Sequence, residues 1–225
     1  RDDAVQLYPG LRSKLIVCHS GLSPLPYLPT DNQTEAIVQK LGLQEPYFIY
    51  YGSTRPNKNL KNLIHAFAEF NEARDQDSQA HQLVLVLKTD RFFEEIKKEI
   101  TRLKLDPLIR VTEPLEVEAH RALLRGSQAL LFPTKYEGFG FPPLEAMQLG
   151  VPVLASTSGS LPEITGDHAV LVDPDDISEI AEGIEKMASD DDTCRWLASK
   201  GPQRADMFQW DDTAQTIHDV YRLLV

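Results

Sequence analysis

Cysteine is nearly absent from this chain. Its two residues, Cys18 and Cys194, stand far apart and outside any metal-ligand spacing. A disulfide framework and a cysteine metal site are therefore excluded, and the usage points to a reducing compartment. No apolar run approaches the roughly 20 residues that cross a bilayer. Basic residues are in short supply, 23 against 34 acidic ones, for a net charge of −11. That balance argues against broad nucleic-acid binding and against docking on an anionic membrane. Neither Gly-x-Gly-x-x-Gly nor a Walker-type lysine loop occurs, which disfavours nicotinamide dinucleotides and nucleoside triphosphates. Internal repeats and low-complexity segments are missing too. The first residues, Arg-Asp-Asp, include no initiator methionine and open no signal peptide, as expected of a processed product or an excised fragment.

What remains is ordinary globular material. The 225 residues are 42% apolar and 25% charged. This suits one large domain or two small ones, and is too short for two full-sized α/β domains. The acid is unevenly placed: residues 173–192 hold nine acidic side chains and one lysine, so this stretch alone is −8 and the other 205 residues are −3. Between Gly52 and Asn62 the sign reverses, with Arg55, Lys58 and Lys61 and no acid.

Six continuous apolar runs have strand length: Tyr47–Tyr51, Leu83–Leu87, Leu108–Val111, Ala129–Phe132, Val151–Ala155 and Ala169–Val172. Continuous runs mark strands covered on both faces. Helical periodicity separates them, as in Leu60, Leu63, Ile64 and Phe67, or in Ile177, Ile180, Ala181 and Ile184. The alternation predicts an α/β, Rossmann-like, doubly wound parallel sheet with helices on both faces. Residues 1–46 read as a linker segment with a short strand at Leu15–Val17, a Pro-rich lead-in (Pro24, Pro26, Pro29, Asn32) and a helix. Residues 47–225 read as the domain proper, closed by an amphipathic helix from Trp210.

Two loops carry the chemistry. Gly52-Ser53-Thr54-Arg55-Pro56-Asn57-Lys58-Asn59 follows the first core strand and precedes a helix. Ligands in such sheets lie beyond the carboxyl ends of strands, and a helix N-terminus with Arg and Lys added favours a diphosphate. The same residues also read as a polar turn with Asn57 as the helix cap. The second loop is Tyr136-Glu137-Gly138-Phe139-Gly140-Phe141-Pro142-Pro143-Leu144-Glu145. Prolines suit a first helical turn, so a helix is expected near Pro142 with Glu145 in that turn and Glu137 in the loop before it. Two carboxylates beside a glycine loop can accept hydrogen bonds from sugar or ribose hydroxyls, while Glu145 alone is also explained by the helix dipole. Ser160 and Glu163 have the spacing of a capping box.

Together these segments resemble the group 1 (family four) glycosyltransferases of the GT-B fold. The resemblance rests on Glu137-x7-Glu145 in the wording Glu-Gly-Phe-Gly-Phe-Pro-Pro-Leu-Glu, and on Gly150-Val151-Pro152-Val153, Leu161-Pro162-Glu163-Ile164, Leu171-Val172-Asp173-Pro174 and Phe208-Gln209-Trp210. It covers about residues 47–225 and implies one half of a GT-B fold, the C-terminal nucleotide-sugar-binding domain. It further implies that Glu145 holds the donor ribose, that Glu137 faces the donor hexose, and that Gly138, Phe139 and Gly140 line the sugar and phosphate. Lys58 and a nearby arginine would neutralise the diphosphate. The family arginine commonly precedes the lysine, where this chain has Asn57, so Arg55 is expected to replace it. Gly52, Ser53, Lys88, Val111, Phe141 and Leu144 complete the donor-binding set that the resemblance implies, with Glu137, Arg55 and Lys58 as the catalytic group. Lys88 stands in a stretch where the family commonly has glycine.

The resemblance implies retention of anomeric configuration, no metal and no cofactor, with a GDP-mannose or UDP-hexose donor as substrate. The acceptor would lie on an N-terminal domain that this chain does not include, and a cytoplasmic location is expected. The six histidines are scattered and read as surface or core residues. A sugar-nucleotide epimerase or phosphorylase of the same architecture is a competing reading, and the Pro-Pro-Leu-Glu wording favours the transferase. A receiver-like binding module would need acids at the first strand end, where this chain has Arg55.

Overall fold

A computed structural model describes residues 2–74 and 79–223. Its elements, in chain order, are α1 (Asp2–Leu7), α2 (Asp31–Leu41), β1 (Tyr47–Gly52), α3 (Leu60–Ala73), β2 (Gln82–Leu87), α4 (Phe93–Arg102), β3 (Ile109–Thr112) and α5 (Val117–Arg125). There follow β4 (Ala129–Phe132), α6 (Phe141–Gln148), β5 (Val153–Ser156), α7 (Leu161–Thr165), β6 (Val170–Val172), α8 (Ile177–Ser189), α9 (Asp191–Ala205) and α10 (Trp210–Arg222). The chain divides into two compact units, Leu25–Asp206 and a smaller one formed by the residues up to Pro24 with those from Met207 onward.

The larger unit is the expected sheet. Six parallel strands run in the order β3-β2-β1-β4-β5-β6. The chain therefore starts in the middle at β1, winds outward to β3, and returns beside β1 to wind the other way. Helices cover both faces; α3 packs against α4 and α8, α2 against α5, and α6 against α9. The burial explains the unbroken apolar runs: Tyr47–Tyr50, Leu83–Leu85 and all of β4 and β5 have no exposed surface. At about 1.5–3 kcal/mol for each large apolar side chain buried, these strands supply much of the driving force for folding.

The register of β1 is asymmetric. On the β2 side it pairs to its last residue, Gly52 opposite Leu87; on the β4 side pairing stops at Ile49 opposite Leu130. Beyond that point β1 and β4 part, and the Tyr50 and Phe132 rings stack across the opening at 5.8 Å. This is the place where the winding reverses, and open α/β sheets hold their ligands in the crevice formed there.

Helix α2 begins with a full capping box: the Thr30 hydroxyl accepts from the Gln33 N–H, and the Gln33 side chain accepts from the Thr30 N–H. Asn32, read as lead-in, thus lies inside a helix. Between α3 and α4, Glu99 accepts two hydrogen bonds from Arg102 (2.6 and 3.1 Å) and lies 2.5 Å from His65 Nε2. Arg102 first, then His65, holds the Glu99 carboxyl down at about 2. A carboxylate with a depressed folded value stabilises the fold above its ordinary range, and that contribution is lost as pH falls toward the folded value. Urea unfolding at pH 6 and pH 3 should therefore show the gap between wild type and Glu99→Gln narrowing in acid. A gap of constant size would contradict the assignment.

In the smaller unit the expected strand Leu15–Val17 does not form. Ile16 and Val17 are about half exposed, and no described residue of that unit is in a strand that could pair with them. A lone extended segment has no partner strand to form a ladder with, and its exposed backbone is left to water. Instead, the chain is held at Gly21, where a Cβ would stand 2.3 Å from the Trp210 nitrogen, so only glycine permits the approach. Leu22 N–H donates to the Phe208 carbonyl at 2.8 Å, and the Thr213 hydroxyl donates to the His19 carbonyl at 2.7 Å. Among the described residues no helix is long and apolar enough to cross a membrane.

Candidate functional site

The loops that follow β1 and β4 meet over the crevice. After β1 the chain makes a 3-10 turn at Pro56–Lys58, and Asn59 takes a left-handed conformation (φ 58°) before α3. Asn57 does not cap the helix. Its side chain donates to the Tyr136 carbonyl at 3.2 Å, and its carbonyl accepts from the Lys135 N–H. Buried Asn59 donates to the carbonyls of Pro133 (2.9 Å) and Pro174 (2.6 Å). These amides lock the β1 loop to those after β4 and β6, and so place Lys58 against Glu137, with Nζ 2.5 Å from Oε1. Both side chains are largely withdrawn from water, at 21% and 11% exposure, and the Lys58 ammonium also lies 5.8 Å from the Phe132 ring centroid.

The loop after β4 is held from below. The Ser160 hydroxyl lies 2.5 Å from the Phe139 carbonyl and 3.1 Å from the Glu137 carbonyl. The expected capping box is therefore not formed: Ser160 begins α7 without a side-chain cap and spends its hydroxyl on the glycine loop. Gly140 has φ of 125°, and a Cβ there would come within 2.9 Å of Leu161. This strained turn starts α6 at Phe141, one residue before the expected start near Pro142, so Glu145 is the fifth helical residue and not part of the first turn. The dipole explanation for Glu145 falls with that placement.

Glu145 instead faces β1. Its Oε2 accepts from the Tyr51 hydroxyl at 2.7 Å, and the same hydroxyl lies 3.0 Å from the Pro142 carbonyl. Burial raises the Glu145 carboxyl above its usual range, opposed by the Tyr51 hydrogen bond and the Arg121 charge. His120 on α5 sets its ring edge against Tyr51, centroids 4.5 Å apart, and burial lowers its pKa. Neither Tyr51 nor His120 was visible as a site residue in the sequence. An aromatic in a strand run reads as core, and His120 is a lone histidine in a helix, with no metal-ligand or catalytic spacing around it.

The remaining expected residues divide. Gly52, Ser53, Gly138, Phe139 and Phe141 border the crevice loops, with the Phe139 and Phe141 rings 4.9 Å apart. Leu144 has no exposed surface and is part of the core. Arg55 is exposed and lines a separate recess of about 470 Å3 with Leu60, Lys61, Phe92, Glu95 and Ile96. Exposed Lys88 follows β2 and half-buried Val111 lies in β3, on the far side of β1 from β4. Among the described residues, none of these three has a hydrogen bond or ion pair to Lys58, Glu137 or Glu145. No cluster of three His, Cys, Asp or Glu side chains suited to a metal occurs among the described residues.

A cation, two carboxylates and a glycine turn thus converge where the winding reverses. Lys58 can meet an anionic group, and the two glutamates can accept from hydroxyls. Comparison with known proteins agrees in fold and sequence. The chain is 31% identical over 192 residues to O-antigen chain mannosyltransferase B of Escherichia coli, covering 84% of this chain and 49% of that protein. It spans about half the length of that relative, and 40% of a mannosyltransferase of Mycolicibacterium hassiacum that it matches at 32% identity. Among solved structures it superposes on Anabaena HepE in complex with UDP-glucose, with a TM-score of 0.74 at 21% identity, over 86% of this chain and 53% of that one. The pattern that defines the family "Glycosyl transferases group 1" matches residues 32–204. The chain belongs to the group 1 glycosyltransferases.

Proposed function

We propose that this chain is the donor-binding domain of a retaining hexosyltransferase, with GDP-mannose as the first candidate donor and a UDP-hexose as the second. The observation that carries the reading is the convergence of Lys58, Glu137 and Glu145 on the crevice between β1 and β4. In this reading Lys58 binds the diphosphate and stabilises the charge that grows on it as the sugar departs. Glu145 accepts from the ribose hydroxyls. Glu137 faces the hexose, and the backbone of Gly138–Gly140 lines the sugar. Arg55, on the same loop but lining the separate recess, is proposed as a second cation that swings to these phosphates when the donor binds. The protein's own cations serve in place of a metal. The mannosyltransferase relatives support a mannosyl donor, and the share of them that this chain spans supports an acceptor site on a separate N-terminal domain. The chain alone would then bind donor but turn it over little, and the whole enzyme would act in surface polysaccharide or glycoconjugate synthesis, on the cytoplasmic side.

Calorimetric titration of this chain with GDP-mannose and UDP-glucose tests the reading. Saturable binding of one donor per chain, weakened in Glu145→Gln, is expected. If neither donor binds a chain that circular dichroism shows to be folded, the reading is wrong.

A further inference from the structure

The Tyr51 hydroxyl is the one described side-chain donor to Glu145, and it touches only Oε2. Among the described residues Oε1 has no hydrogen-bond partner. Tyr51 cannot rotate away: it sits at the end of β1, paired with Val86, and the His120 ring packs edge-on against it. Its oxygen is also tied to the first turn of Glu145's own helix through the Pro142 carbonyl, 3.0 Å away. One proton serves two acceptors, and this makes the arrangement conditional. When Glu145 is a carboxylate, the Tyr51 O–H donates to Oε2. When Glu145 is a carboxylic acid, its own O–H can donate to the Tyr51 oxygen while the Tyr51 proton turns to the Pro142 carbonyl. Both states are satisfied, but only the first leaves Glu145 ionised and rigid, with Oε1 as a pure acceptor.

We infer that Tyr51 is a positioning residue that orients the Glu145 carboxylate so that Oε1 receives the donor's vicinal hydroxyls; this rests on the donor-site reading above. The charged groups around it fit. Tyr51 itself stays protonated, because burial and the neighbouring Glu145 raise its pKa far above the usual tyrosine range. Burial first, then the Arg121 charge, lowers the His120 pKa, and the same charge favours ionised Glu145. Burial works against ionisation of Glu145, and the Tyr51 hydrogen bond is the largest influence opposing it. Removing that bond therefore raises the Glu145 pKa further.

The test is calorimetric titration of the chain with GDP-mannose and UDP-glucose between pH 5 and 8, using wild type, Tyr51→Phe, Glu145→Gln and the double variant. Sugar-nucleotide diphosphates carry no group that titrates in that range, so the pH profile belongs to the protein. Tyr51→Phe keeps the ring against His120. It should weaken binding about tenfold near pH 7, the usual size for a hydrogen bond to a charged group. It should also move the acid limb of binding to higher pH. In the Glu145→Gln background, adding Tyr51→Phe should leave the pH profile unchanged, and any slope that remains belongs to groups other than Glu145. A uniform loss at every pH, equal in both backgrounds, would make Tyr51 merely structural and overturn the inference. Wild-type affinity and profile in Tyr51→Phe would overturn it alone; failure of the wild type to bind either donor would overturn the donor-site reading with it.

Discussion

Lys58→Ala is expected to weaken nucleotide-sugar binding by about 10- to 100-fold, the range set by charge-assisted hydrogen bonds of about 1.5–3 kcal/mol. Two effects act in the same direction. The ammonium that would meet the diphosphate is gone, and Glu137 loses its counter-ion. That carboxylate is only 11% exposed, so its charge is poorly screened and now repels an anionic donor. Lys58→Arg restores the charge but not the fit, because a planar guanidinium is wider than the ammonium that sits 2.5 Å from Glu137 and over Phe132; it should recover only part of the affinity. Calorimetry gives the loss, and a thermal melt separates it from unfolding. Unchanged affinity in a folded Lys58→Ala chain would remove Lys58 from the site.

The largest effect on stability is expected at Phe48. It is the second residue of β1, paired with β2 on one side and β4 on the other, and has no exposed surface; its ring is stacked on His81 at 5.1 Å and edge-on to Phe70 at 6.0 Å. Truncation to alanine leaves a ring-sized void between the sheet and α3, at a cost of about 3–5 kcal/mol. At about 2–4 °C per kcal/mol for a chain of this size, Tm should fall by roughly 6–20 °C. Glu99→Gln, between surface parts of α3 and α4, should shift Tm much less near neutral pH. A fall of only a degree or two in Phe48→Ala would mean that the core collapses around the gap, or that β1 is not its centre.

The strands were legible because this sheet is covered on both faces, so each appears as an unbroken apolar run. β4 matches its expected bounds; β1, β2 and β6 shift by one residue at one end, β3 by one at both ends, and β5 by two at its start and one at its end. Val151–Ala155 starts later, at Val153, since Pro152 has no N–H to give to the ladder. Leu15–Val17 misled for the opposite reason. Its residues have strand character, but pairing depends on a neighbour, and local composition holds no record of one. Lys58, Glu137 and Glu145 could be named from the loop wording, whereas their partners could not. Ser160 and Glu163 have capping-box spacing, yet the hydroxyl lies nearer to the Phe139 carbonyl, a contact set by how α7 meets the glycine loop. Tyr51 reads as one more apolar strand residue, and its role depends on α6 bringing Glu145 across the gap where β1 and β4 separate. The net charge proved uninformative about the ligand: the acid is concentrated around α8 and α9, while the crevice loops carry Lys58.

A crystal structure of this chain with GDP-mannose or UDP-glucose tests the central claim most directly. The diphosphate should lie within hydrogen-bond distance of Lys58 Nζ, and a ribose hydroxyl within the same distance of Glu145 Oε1, both over the crevice between β1 and β4. A donor bound elsewhere, as in the recess lined by Arg55 and Phe92, with Lys58 and Glu137 still paired, would contradict it.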